Sequence, residues 1–181
     1  MTATPPQLPP VLLVGGGKMG GAMLAGWAAL GLAPSVVVDP APGAQALAGP
    51  GVQVVPSLAD MPDGFNPAAV VVAVKPQQAD AVLPGLQRFG GAVLLSIMAG
   101  RTISSLPPGP VVRAMPNTPA AIGQGITAAY AGPGVDGAQR ALCDALLRSV
   151  GEVVWLDDEG LMDAVTAVSG GGPAYRSEER V

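Results

Sequence analysis

Gly15, Gly17 and Gly20 stand at the spacing G-x-G-x-x-G inside "VLLVGGGKMGGAML", residues 11–24. Glycines so placed suit a backbone that wraps a diphosphate. The first permits a tight turn, the second lets main-chain N–H groups approach phosphate oxygens, and the third lets a helix pack closely on the preceding strand. The phosphates would then meet free N–H groups at the positive end of a helix dipole. Lys18 and Met19 occupy variable positions of the same turn. The chain has only two lysines, Lys18 and Lys75, one in this turn and one where a later apolar run stops. Asp39 closes the next apolar run. A carboxylate there favours hydrogen bonds to both hydroxyls of a ribose, as in NAD, and repels a 2′-phosphate unless a cation compensates. No lysine or arginine lies between Asp39 and Lys75. The residues point toward NAD, or to a loose preference between NADH and NADPH. The same glycines would also serve a bare strand-to-helix connection in a glycine-rich chain, and Asp39 would also serve as a turn residue before Pro40.

The composition removes other chemistries. With no histidine, Ser-His, Cys-His and His-metal mechanisms are excluded, and no metal site is expected. Cys143 is the only cysteine, so no intrachain disulfide forms, and its setting in "ALCDALL" reads as a helical core stripe. That usage fits a cytoplasmic protein. A net charge of −4 with no basic stripe argues against nucleic acid. No apolar run approaches the ~20 residues of a membrane span. The opening "MTATPPQLPP" has no signal-peptide features and predicts a disordered or extended lead-in over residues 1–10.

Elements that could position these residues follow from the apolar pattern. Strands are expected at Val11–Val14, Val36–Val38, Val52–Val55, Ala68–Val74, Ala92–Ser96, Val111–Met115, Ile126–Tyr130 and Val153–Leu156. Helices are expected at Lys18–Leu30, weakly at Ala44–Ala48, and at Gln77–Arg88, Gly137–Ser149 and Glu159–Val168. Continuous rather than alternating apolar strands imply a sheet covered on both faces. Strand-helix alternation implies parallel strands with right-handed crossovers. The expected class is α/β, a Rossmann-like, doubly wound, mostly parallel sheet over residues 11–158.

Three later stretches narrow the reading: "AVKPQQ" at 73–78, "VVRAMPNTPAAIGQG" at 111–125 and "DAVTAVSGGGPAY" at 163–175. With "VGGGKMGGAM" and "SIMAGRTISSL", their order and spacing resemble pyrroline-5-carboxylate reductase, the family of the last step of proline biosynthesis. The resemblance implies hydride transfer from NADPH or NADH to the C=N carbon of 1-pyrroline-5-carboxylate. It assigns Gly15, Gly17, Lys18, Met19 and Gly20 to the diphosphate, with Asp39 beyond them. Ala73, Val74, Lys75 and Pro76, at the end of the fourth strand, and Met98, Ala99 and Gly100, at the end of the next, would line the cofactor. Lys75, Asn117, Thr118 and the turn Ser169, Gly170, Gly171 and Gly172 would lie near substrate, Asn117 also beside the nicotinamide. Arg113, inside a strand, reads as a buried ion-pair partner, and no side chain is assigned as catalytic acid.

Two departures accompany the resemblance. The family turn Ser-Gly-Ser-Gly-Pro is Ser169-Gly170-Gly171-Gly172-Pro173 here, one hydroxyl short. "GPAY" runs into "RSEERV" where the family continues into a long apolar helix. The expectation is therefore that residues 159–181 begin an all-helical dimerisation domain that is cut short. Family members form homo-oligomers through that domain. The second reading is a non-catalytic NAD(P)-binding fragment with lost or weak turnover. A β-hydroxyacid type of dehydrogenase ranks last, because no lysine follows Lys75.

Overall fold

Short apolar runs without alternation must be buried on both sides, and the computed structural model, which describes residues 8–165, places them so. Eight strands, β1 (Val11–Val14), β2 (Ser35–Val38), β3 (Val52–Val55), β4 (Ala69–Val72), β5 (Val93–Ser96), β6 (Val111–Pro116), β7 (Gly125–Ala131) and β8 (Gly151–Leu156), form one sheet. Its order is β3-β2-β1-β4-β5-β6-β7-β8. Strands β1 to β6 are parallel, β7 is antiparallel to β6, and β8 is parallel to β7. The reversal has a simple cause. Residues 117–124 hold only a short 3-10 helix, Thr118–Ile122, too little chain for the dozen or so residues of a parallel crossover.

Helix α1 (Lys18–Ala29) and helix α3 (Gly137–Arg148) cover one face, where Met23, Trp27, Cys143, Leu146 and Leu147 are wholly buried with β1, β4 and β5 side chains. Trp27 ties the two helices, donating its indole N–H to the Leu146 carbonyl at 2.9 Å. Helix α2 (Ala79–Leu86) covers the other face through Ala79, Leu83 and Leu86. The twelve-residue helix expected at Gln77–Arg88 is instead α2 flanked by 3-10 turns at Pro76–Gln78 and Gln87–Phe89. Pro84, inside α2, has no N–H to return to the carbonyl four residues back, which limits regular helix there. The weak helix expected at Ala44–Ala48 is a 3-10 helix, Pro42–Leu47.

Leu8, expected in the lead-in, belongs to the folded body. Its N–H donates to the Gly31 carbonyl at 3.0 Å, its carbonyl accepts from Ala33 at 2.8 Å, and its side chain is buried in the α1 face. At the other end residues 161–165 are helical, and Met162 is buried. None of the helices among the described residues is long and apolar enough to cross a membrane.

Candidate functional site

The carboxyl ends of β1 and β4 are neighbours, and the chain leaves them in opposite directions across the sheet, which opens a crevice at that edge. The glycine turn fills it. Gly15 has φ +99°, and a Cβ there would lie 2.8 Å from the Ala73 carbonyl, so only glycine fits between β1 and the end of β4. A Cβ on Gly20 would run into the Gly15 carbonyl, which fixes how closely α1 rides on β1. Gly17 differs from both. It is the N-cap of α1 in an extended conformation, and a Cβ there would meet nothing within 4 Å. Space in front of Gly17 is open.

The end of α1 that faces this space carries no cap. Among the described residues no side chain accepts from its first turn, and no acidic residue lies in that turn. The first helical bond runs from Gly21 N–H to the Gly17 carbonyl at 2.8 Å, so the helix leaves the N–H groups of Lys18, Met19 and Gly20 without internal acceptors. Lys18 projects exposed from the same turn. Bare N–H donors, a helix dipole and a cation around one opening fit a diphosphate.

Gly16, which the sequence reading did not single out, has a role of its own. Its N–H donates to Asp39 Oδ2 at 2.7 Å, and Asp39 Oδ1 accepts from Ala41 N–H at 2.8 Å. A Cβ on Gly16 would sit 2.5 Å from Leu47 Cδ1, the movable end of a half-buried side chain. The middle glycine of the run Gly15-Gly16-Gly17 was the available signal, but its partner lies 23 residues away and is set only by the pairing of β1 with β2.

The remaining sequence-predicted residues distribute along the same edge. Strand β4 stops at Val72, earlier than expected, and β5 stops at Ser96 as expected, so 73–76 and 98–100 lie on the loops beyond the strand ends. Ala73 and Val74 are half-buried behind Gly15, while Lys75 is exposed with no partner among the described residues. Met98 is buried in the α2-side core and presents no side-chain surface to a ligand, unlike the exposed Ala99 and Gly100 beside it. Arg101, which sequence reading passed over, binds the two loops together. Its guanidinium donates to the Pro76 carbonyl at 3.1 Å and pairs with Asp80 at 3.0 Å. Asn117 Oδ1 accepts from Ile126 N–H at 3.0 Å, which orients the amide, and Thr118 is exposed beside it. Ser169, Gly170, Gly171 and Gly172 lie outside the described residues.

Next to Asn117 the sheet carries an apolar groove of about 560 Å³ between Ile126, Val154 and Leu161. Arg113, expected as a structural ion-pair partner, is buried on the same side of the sheet and pairs with Glu159 at 3.2 Å and Asp163 at 3.4 Å. Glu159 also accepts from Ile103 N–H at 2.8 Å, so this network fastens the last described helix to the sheet. Cys143 is a core residue whose thiol burial pushes up to about 12, so it stays protonated and unreactive.

Sheet order, crevice and glycine-walled helix end define a Rossmann-type domain. The chain belongs to the family described as NADP oxidoreductase, coenzyme F420-dependent, which residues 10–100 match. It is 39% identical over 178 residues to pyrroline-5-carboxylate reductase of Pseudomonas aeruginosa, an alignment that takes in 92% of this chain and 64% of that protein. The chain therefore spans just under two thirds of that relative's length. Among solved structures it resembles a pyrroline-5-carboxylate reductase from Coxiella burnetii, with TM-score 0.82, 29% identity, and 94% of this chain matched to 67% of that one. It also resembles the Plasmodium falciparum pyrroline carboxylate reductase with NADP bound, with TM-score 0.75, 26% identity, and 93% of this chain matched to 65% of that one.

Proposed function

We propose that the chain is the nucleotide-binding part of a cytoplasmic pyrroline-5-carboxylate reductase, which reduces 1-pyrroline-5-carboxylate to L-proline with NADPH or NADH. The observation that carries this is the uncapped, glycine-walled start of α1 at the β1/β4 crevice, in a chain aligned along most of its length with named reductases. Its single buried cysteine fits a reducing compartment. When bound, the reduced nicotinamide supplies the hydride.

The residues present suit that reaction. A protonated cyclic imine is already electrophilic, and after hydride adds to its carbon the ring nitrogen keeps the proton it holds as a secondary amine. Histidine is absent from the chain and no side-chain acid is required. What the protein must supply is position and charge. The N–H groups of Lys18 to Gly20 anchor the diphosphate. Lys75, free at the edge, attracts the substrate carboxylate, and Asn117, held by Ile126, offers its amide N–H₂ beside it.

The test is a one-to-one assay of reduced cofactor consumed and proline formed when the purified chain meets 1-pyrroline-5-carboxylate. Turnover above a Lys75→Ala control supports the proposal. Nucleotide binding without turnover favours the non-catalytic reading. Failure of both NADH and NADPH to raise the melting temperature removes the nucleotide site itself.

A further inference from the structure

Beyond the glycine turn, two loops form the carboxyl edge of the sheet, residues 73–76 after β4 and residues 97–102 after β5. What gives this part of the crevice its shape is a question that rests on the nucleotide-site reading above. A dinucleotide whose diphosphate sits on α1 lays one half toward β2 and the other over β4 and β5. On that reading the two loops wall the nicotinamide half.

They are anchored unequally. After β4, Ala73 N–H donates to the Val14 carbonyl at 2.8 Å, and Gln78 N–H closes a turn onto the Lys75 carbonyl at 2.9 Å. After β5, Ile97 N–H donates to the Val72 carbonyl at 3.0 Å, and Met98 is buried. From there such ties stop. Among the described residues, no main-chain hydrogen bond joins Ala99, Gly100 or Arg101 to another segment of the chain. Ala99 and Gly100 are small and exposed, so packing adds little. Gly100 turns the chain at φ +69°, a conformation that favours glycine.

The polar link between the loops is the Arg101 side chain. Its Nη2 donates to the Pro76 carbonyl at 3.1 Å and pairs with Asp80 Oδ1 at 3.0 Å. The Pro76 carbonyl already accepts from Ala79 N–H, so the guanidinium takes its second lone pair. Asp80 lies in the first turn of α2, where the helix dipole favours a carboxylate. The Arg101 side chain is only 24% exposed, which lessens solvent screening on its side of the pair. Its polar contacts are with Pro76 and Asp80, and neither the glycine turn nor Asp39 is among them.

We infer that Arg101 is a positioning residue for the nicotinamide half of the site, joining the Ala99–Gly100 loop to the Lys75–Pro76 loop so that this half is formed before the ligand arrives.

Calorimetric titration of the full chain with NADH, and with adenosine diphosphate, which carries the diphosphate but no nicotinamide, tests this without turnover. Arg101→Ala should weaken NADH about three- to tenfold, because binding must then order the released loop, and leave adenosine diphosphate within about twofold. Ala73 keeps its own bond to Val14, so the diphosphate end stays in place. The ratio of the two affinities is a readout that general destabilisation would not move. Arg101→Met, of similar length but without donors, should move the ratio as alanine does and serves where alanine disturbs folding. Arg101→Lys keeps a charge beside Asp80 and should recover part of the loss. A ratio unchanged in both Arg101→Ala and Arg101→Met overturns the inference, whether the two affinities fall together or neither falls. In that case NADH binding by the unaltered chain leaves the nucleotide-site reading standing. If the unaltered chain binds neither NADH nor adenosine diphosphate, that reading fails and the inference with it.

Discussion

Helices α1 and α3 have the same length, 12 residues, lie on the same face of the sheet, and begin in opposite ways. Helix α3 is closed at its start by a capping box. Asp136 Oδ1 accepts from Gln139 N–H at 2.8 Å, and Gln139 Oε1 accepts from Asp136 N–H at 3.0 Å. Its last turn carries Arg148, paired with Asp144 at 2.6 Å. Helix α1 has no cap, no acid in its first turn and no base in its last. It is held by packing instead. Gly20, Met23, Leu24 and Trp27 are buried, and a Cβ on Gly26 would already lie 2.8 Å from Ser149 of the α3 end. One helix is stabilised locally and its donors are satisfied. The other relies on tertiary burial and keeps its donors for something else. Because β7 is reversed, α3 starts at the opposite edge of the sheet, so the two ends do not compete for one ligand.

The largest effect expected comes from filling the tight glycines. Gly15→Ala puts a Cβ against the Ala73 carbonyl at positive φ, and Gly20→Ala drives one into the Gly15 carbonyl. Each should cost about 2–4 kcal/mol in urea unfolding and abolish NADH binding together with it. Gly17→Asp separates the two properties. It gives α1 the cap that α3 has, at a position where a Cβ meets nothing and the backbone is already extended. Stability should hold or rise by a few tenths of a kcal/mol, while the added carboxylate removes nucleotide binding. Loss of stability comparable to Gly15→Ala would break the contrast between the two helix ends.

That contrast was half legible in the chain. Apolar runs placed the strands to within a residue or two, because a doubly covered strand leaves little else to read. G-x-G-x-x-G placed the crevice, because Gly15 and Gly20 answer steric demands and Gly17 leaves the space before the helix end open. What escaped depends on neighbours distant in sequence. The pairing of Gly16 with Asp39 needs β1 beside β2, and the burial of Met98 needs α2 laid over β5. The Arg101 clamp needs two loops brought together across β4 and β5. The burial of Met162 escaped too, because helical spacing shows which residues share a face but not what covers it. The capping box of α3, by contrast, stands in the sequence as Asp136 and Gln139 at the required spacing.

A smaller effect belongs to α3 alone. Asp136→Ala removes the acceptor for Gln139 N–H and leaves only the return bond from the main-chain N–H of residue 136 to Gln139 Oε1. The expected cost is about 1 kcal/mol in chemical unfolding, with NADH affinity unchanged. A fall in affinity would mean that the two helices are coupled through Trp27 and Leu146 more tightly than packing alone requires.

The smallest effect concerns the other end of α3 and is read as a pH dependence. Burial pushes the Asp144 carboxyl up, but hydrogen bonds from Arg148 and the Trp155 indole, with the charges of Arg148 and Arg140, outweigh it and hold the group below the usual carboxylate range. A carboxyl lowered in the folded state adds stability at pH values above its unfolded value and loses it as pH falls through the folded value. Asp144→Asn should therefore cost about 0.5–1 kcal/mol at neutral pH, a modest amount because the pair with Arg148 is partly solvated. The gap between the two proteins should close in acid, below the ordinary aspartate range. A gap that persisted there would assign the contribution to a neutral contact with Trp155, whose N–H sits 2.9 Å from Asp144 Oδ1. A closing gap with NADH affinity untouched would place all of α3's electrostatics in its own stability, and leave the unpaired donors of α1 as the helix end available to a ligand.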